Sequence, residues 1–144
     1  MPYSIYKNIY SKNAKSIRTP IVILYKEQRY DGIALWDTGA SMTHISHKVV
    51  DMMGLYSHRQ SSTLSHHGED QVDNYLISLM LPNNYFVDDL EVLVGDYTPL
   101  NVDVVIGLDI ISLGEFKMDY TGESPVFTFT QLTDEENIIE TKLF

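Results

Sequence analysis

The chain has 144 residues, no cysteine, and 20 acidic against 10 basic residues, for a formal net charge of −10. That length supports one real core, and a hydrophobic content of 44% is ordinary for a globular chain. The missing cysteines exclude disulfides and thiolate-bound metals, and the acidic balance disfavours a nucleic-acid partner, which needs Lys and Arg against phosphate.

Residues 1–18 are polar and Tyr-rich, show no clean period, and read as an N-terminal arm. They contain Lys7, Lys12, Lys15 and Arg18 and no acid, and they lack the apolar stretch and cleavage site of a signal peptide. A cytoplasmic location is the resulting expectation. Residues 21–25 are a β-branched run between Pro20 and a charged turn at 26–29, so they predict a strand and hairpin. The run is far too short to span a bilayer, and no membrane partner is expected. Residues 30–36 predict the second strand. Its end, Ile33-Ala34-Leu35-Trp36, is continuously apolar, as for a strand buried on both faces.

Asp37-Thr38-Gly39 follows directly, and extended structure resumes at 43–45. Ser46 is placed to cap a short helix near 48–53, and Gly54 to stop it. Residues 57–70 are rich in Ser, His and Gly and predict a mobile hairpin or loop. Strands are predicted at 75–81, 86–94 and 102–106, the last ending at Gly107, with a short helix near 109–113. Strands at 116–120 and 126–129 close the domain, and an acidic tail follows. The division is an arm over 1–18, a domain over 19–130 and a tail over 131–144. Its oppositely charged ends are expected to be frayed and solvated. Many short strands at 8–12-residue spacing, with one or two short helices, predict an all-β sandwich or small barrel.

The chemistry centres on Asp37. A carboxylate at the end of a buried strand costs several kcal/mol as a lone anion, so it must be paired, hydrogen-bonded or protonated. Asp-Thr-Gly occurs once in the chain. About seventy positions later stands a second apolar strand ending in Gly, Val104-Val105-Ile106-Gly107-Leu108-Asp109, and between the two lies the polar, Gly-bearing segment.

This order resembles the retropepsin-like family, the single-domain, retroviral-type aspartic proteases, and most of all the cellular and bacterial branch with a Gly-Leu-Asp second motif. The resemblance covers roughly residues 19–120. It implies a small closed β barrel acting as a homodimer, since two carboxylates about 3 Å apart must share one proton and each chain supplies one. Asp37 would be that catalytic carboxylate, facing its own copy. Thr38 would reach across the two-fold axis to the partner's backbone, Gly39 would let the backbone approach the substrate, and Ala40 would face the substrate main chain. Leu35, Met42, His44 and Val105 would line side-chain pockets. His66, His67 and Gly68 would form a flap over an extended peptide, and Ile106 with Gly107 would form the second motif. No cofactor or metal is implied. In the viral enzymes the residue two after this Gly is acidic and pairs with an Arg after the second Gly. Here those positions are Ser41 and Leu108, so that ion pair is absent.

Plainer readings stand beside these. Asp37 could be a structural turn residue, and Asp88, Asp89 and Glu91 read as a solvated face. His44, His47, His58, His66 and His67 give no convincing metal-ligand spacing, and the last three read as loop residues. Two rival functions are a non-catalytic dimerisation or peptide-binding module with this fold, and an unrelated small barrel holding a small ligand.

Overall fold

The structure is a computed structural model that describes residues 2–65, 68–134 and 136–143. The chain begins with β1 (Tyr3–Tyr10), then the hairpin of β2 (Arg18–Tyr25) and β3 (Gln28–Trp36). Lys26, with φ 53°, makes the turn between them. After the Asp37 loop come β4 (His44–Ser46) and the helix α1 (His47–Met53). Both ends of α1 match their sequence signals. Ser46 Oγ accepts from the Val49 N–H, and Gly54 takes the left-handed conformation at φ 62°.

A long hairpin follows, β5 (Arg59–Ser65) against β6 (Gly68–Met80), and then β7 (Phe86–Gly95). The chain continues through β8 (Val104–Ile106), the short helix α2 (Leu108–Ile111), β9 (Glu115–Asp119), β10 (Val126–Leu132) and β11 (Asn137–Leu143). Among the described residues no helix is long and apolar enough to cross a membrane.

One sheet runs β2-β3-β8-β4-β7-β6-β5, and pairing of β2 with β6 closes a six-stranded barrel. The expected all-β closed barrel with two short helices is therefore what forms. Ile21, Ile23, Ala34, Ile45, Leu79, Val92, Val104 and Ile106 fill its interior. β8 is only three residues long and buried throughout, which explains its unbroken apolar sequence.

The second sheet has the order β11-β1-β10-β9. β1 pairs antiparallel with β10 and parallel with β11, so the two ends of the chain lie side by side. This differs from the reading of 1–18 as an irregular arm with solvated ends, and the reason lies in the side chains of β1. Ser4, Tyr6, Asn8 and Tyr10 face inward and are buried, while Ile5, Lys7 and Ile9 are on the other, half-buried face. Hydropathy therefore does not alternate, although burial does.

Hydrogen bonds make this polar stripe tolerable in the interior. Ser4 Oγ donates to Asn83 O at 2.7 Å, and Tyr10 Oη donates to Arg18 O. Thr141 Oγ1 donates to Asn8 Oδ1, which leaves it to accept from Tyr6 Oη at 2.6 Å. Phe127 and Phe129 of β10 pack at a tilt against Trp36 at centroid distances of 5.1 and 4.9 Å, joining the sheet to the barrel beneath Asp37.

Burial pushes the Tyr10 phenol up to about 12, and it raises Tyr6 as well. The folded values lie above the unfolded ones, so this stability is intact below pH 10.0 and is lost as pH rises towards about 12. Urea-unfolding midpoints should therefore fall across that alkaline window. Tyr10→Phe should flatten part of the fall, with Tyr6 keeping the remainder; an unchanged slope in Tyr10→Phe would contradict the assignment.

Candidate active site

Asp37 leaves the end of β3 with its N–H on Ile106 O at 2.9 Å, so the first motif is anchored to the second through the backbone. The pairing continues inward as Trp36 with Ile106, Leu35 with Val105 and Ala34 with Val104. Gly39 N–H donates to Asp37 Oδ1 at 2.8 Å, and Ala40 N–H closes the turn on Asp37 O at 3.2 Å. A Cβ at position 39 would stand 3.2 Å from Asp37 Oδ1, a tight approach to the carboxylate.

Asp37 itself is exposed, as are Thr38 and Gly39. The sequence predicts a buried carboxylate, but burial stops at Trp36 and the turn lifts the next side chain onto the open surface. Among the described residues no hydrogen bond is made to Asp37 Oδ2 or to the Thr38 hydroxyl.

Beyond the turn, the loop is held by the residues after β8. Leu108 N–H donates to Ala40 O at 2.8 Å. Asp109 Oδ2 accepts from Thr43 N–H at 2.9 Å, and its Oδ1 accepts from Thr43 Oγ1 at 2.7 Å and Ile110 N–H at 3.0 Å. Thr43 Oγ1 in turn accepts from Gly107 N–H at 3.2 Å. A Cβ on Gly107 would meet Met42 C and O at 2.7 Å and Ala40 O at 2.8 Å, so only glycine lets the two loops touch. Ser41 is exposed, and Leu108 is 45% exposed. The Asp109–Thr43 contacts join the two loops where those residues form no ion pair.

Leu35, Val105 and His44 are cross-strand neighbours on one face of the sheet, the face opposite Ala34, Trp36 and Ile106. Val105 is buried and the other two half-buried. Met42 lies before β4, and its carbonyl is 2.9 Å from His44 Nδ1. A carbonyl only accepts, so Nδ1 carries the proton and Nε2 keeps its lone pair while the ring is neutral.

Tyr97 packs edge-on to His44, with centroids 6.1 Å apart and planes at 87°. Burial, and then the negative charge of Asp37, hold the Tyr97 phenol above its ordinary range. It remains a neutral hydroxyl within the electrostatic reach of Asp37.

β5 and β6 pair from Arg59–Asn74 to Ser65–Gly68, so the polar segment is a long hairpin whose far end lies at Gly68, with φ 106°. His66 and His67 lie outside the described residues. The base of the hairpin is tied to β7, where Glu91 accepts from Arg59 Nη2 at 2.6 Å and Asn74 Nδ2 at 2.8 Å. Glu91 is thus a paired group and not part of a merely solvated face. His58 Nε2 is 3.9 Å from the same carboxylate. Among the described residues no group of three or more His, Asp or Glu side chains is arranged to hold a metal.

Sequence reasoning did not single out Tyr97, Thr43 or the side chain of Asp109. Asp109 had a signal, since the acid that closes the Gly-Leu-Asp motif can reach donors in the first loop. Tyr97 had none, being one aromatic residue in an irregular connection.

No family model matches the chain, and no curated sequence relative does. The fold is similar to the crystal structure of a retropepsin-like aspartic protease from Rickettsia conorii. The match has a TM-score of 0.60 and 13% identity, and covers 91% of this chain and 95% of that one. It is also similar to the EIAV protease complexed with an inhibitor, with a TM-score of 0.50 and 16% identity over 69% of this chain and 88% of that one. The chain has the retropepsin-like fold.

Proposed function

We propose that the chain is a homodimeric aspartic endopeptidase in which Asp37 and its copy across a two-fold axis form the catalytic dyad. The observation that carries this reading is the state of Asp37. One oxygen is fixed by the Gly39 N–H, while the side chain stands exposed at the end of a retropepsin-like barrel strand. A second such carboxylate about 3 Å away would share a proton with the first, because two like charges that close do not both ionise near neutral pH.

The ionised carboxylate takes a proton from a bound water as that water attacks the scissile carbonyl carbon. The protonated one donates to the carbonyl oxygen, giving a neutral tetrahedral diol. Collapse re-forms the carbonyl, breaks the C–N bond and returns a proton to the leaving nitrogen. Both acid and base are protein groups, so no cofactor or metal is needed.

Thr38, exposed beside the dyad, reaches the partner's backbone. Leu35, Val105 and His44, with Tyr97, wall the side-chain pocket, and Ala40 faces the substrate backbone. The β5–β6 hairpin is the flap, holding an extended peptide by main-chain hydrogen bonds. Thr38→Ala should weaken the dimer by about 1–3 kcal/mol by leaving partner groups unsatisfied; unchanged dissociation would rule out the inter-chain threonine contact. The overall test is sedimentation of the full chain together with cleavage of a peptide library at several pH values. A dimer that cleaves is expected. A strict monomer at high concentration, or a dimer that cleaves nothing at any pH, would overturn the reading.

A further inference from the structure

The face that carries Leu35 is aliphatic except at one end. Leu35, Val105, His44 and Leu93 follow one another as cross-strand neighbours on β3, β8, β4 and β7, so all four share one side of the sheet. Three are aliphatic and one is an imidazole. One pair further along β4 and β7, Ser46 lies against Gly95. The Tyr97 ring folds back onto that glycine, where a Cβ would stand 2.8 Å from Tyr97 Cε2 and 2.9 Å from its hydroxyl. The bare glycine thus seats Tyr97 on the same face, edge-on to His44.

Each of these two side chains keeps one polar atom unused. His44 Nδ1 gives its proton to Met42 O at 2.9 Å, which leaves the Nε2 lone pair of the neutral ring as an acceptor. Tyr97 Oη brings a proton to donate. Neither Nε2 nor Oη has a hydrogen-bond partner among the described residues. Water satisfies such atoms while the face is open, but a bound peptide that covers them must supply replacements. The side chain seated here therefore has to offer a donor to Nε2 and an acceptor to Oη.

Charge narrows the choice. Asp37 and Lys15 line the same shallow cavity beside Leu35, so this face carries one charge of each sign. A charged side chain would also lose hydration against three aliphatic residues, at a cost that a neutral group does not meet.

We propose that His44 and Tyr97 make this a pocket for a primary carboxamide, so that the peptide substrate carries Gln or Asn there. The amide N–H donates to His44 Nε2, and the amide oxygen accepts from Tyr97 Oη. A carboxamide is the neutral side-chain group that presents donor and acceptor on two separate atoms, and its methylene stem lies along Leu35, Val105 and Leu93. This rests on the endopeptidase reading, and it names the residue class that such an enzyme selects.

The test is a peptide library in which each position in turn carries Gln, Asn, Met, Leu, Glu or Lys, cleaved by the full chain at about pH 7.5, where an imidazole is mostly neutral. Met has nearly the length and shape of Gln without its polar atoms. At one position, Gln or Asn should exceed Met and Leu by at least about tenfold in kcat/KM, the worth of two modest hydrogen bonds. Tyr97→Phe removes one oxygen and keeps the ring over Gly95, and it should cut that ratio about three- to tenfold. His44→Leu should turn the preference at the same position to Met and Leu.

Tyr97→Phe serves even where His44→Leu fails to fold for want of its bond to Met42 O. A purely structural role for Tyr97 would lower cleavage of Gln and Met peptides alike and leave their ratio unchanged, which would overturn the assignment. Efficient cleavage with no amide preference at any position, or with Glu or Lys preferred wherever the two variants alter selection, would also overturn it and leave the dyad reading standing. A strict monomer, or a dimer that cleaves nothing, would defeat both.

Discussion

Asp37→Asn should lower peptide cleavage by about 10²–10⁴-fold while leaving the dimer intact, in keeping with the loss of a general acid–base group. The substitution is chosen for shape. An amide oxygen still accepts the Gly39 N–H that now reaches Asp37 Oδ1 at 2.8 Å, and the backbone bond from position 37 to Ile106 O does not involve the side chain. What disappears is ionisation, so neither copy can remove a proton from water. The dimer should hold as well as before or better, because no like charges meet at the axis.

Two measurements on one sample, turnover and sedimentation, give this result its meaning. Lost cleavage with a retained dimer assigns the chemistry to Asp37, whereas lost cleavage with a lost dimer would only report assembly. Normal cleavage by Asp37→Asn would sink the dyad. A wild-type dimer that binds peptides and never cuts them would instead favour a non-catalytic binding module.

The sequence revealed those parts of the fold whose burial follows hydropathy. Ile33-Ala34-Leu35-Trp36 and Val104-Val105-Ile106 are apolar throughout, and they are the paired strands that carry the two motifs. α1 was legible because Ser46 and Gly54 announce its ends with their own side-chain and backbone chemistry. β1 was not, because its inward stripe is Ser4, Tyr6, Asn8 and Tyr10, whose burial depends on partners as distant as Asn83 and Thr141. No local window contains that information.

The site shows the same division. Asp37, Gly39 and Gly107 could be located from a turn and two strand ends. That Asp37 is exposed in the protomer depends on how far the barrel end covers it. Tyr97 depends on the fold of its loop over His44, where a Cβ at Gly95 would come within 2.8 Å of the Tyr97 ring. Asp109 lay within a recognised motif, but its partner Thr43 is 66 positions away in sequence.

That partner makes Asp109→Ala the most informative change away from the dyad. Thr43 is fully buried, and both its N–H and its hydroxyl donate to Asp109. Alanine would leave a buried N–H without its acceptor and loosen a hydroxyl that also holds Gly107 N–H. Unmade bonds of this kind cost about 1–3 kcal/mol each, so a total loss of about 2–4 kcal/mol in unfolding free energy is expected. Asp109→Asn should fall between alanine and wild type. One amide oxygen can serve Thr43 N–H, but the amide nitrogen then faces Ile110 N–H, donor against donor.

The catalytic consequence follows from position. Residues 40–43 carry the turn that aims Asp37, and Leu108 N–H holds Ala40 O from the far side. Small displacements of an aimed group cost large factors in rate, so kcat should fall in both variants even where the protein remains folded. The fall should stay smaller than in Asp37→Asn, since the acid and base are still present. Urea unfolding and kcat measured at a temperature where each variant is folded separate the two effects. An Asp109→Ala protein with wild-type stability and wild-type kcat would show that the second motif does not brace the catalytic loop.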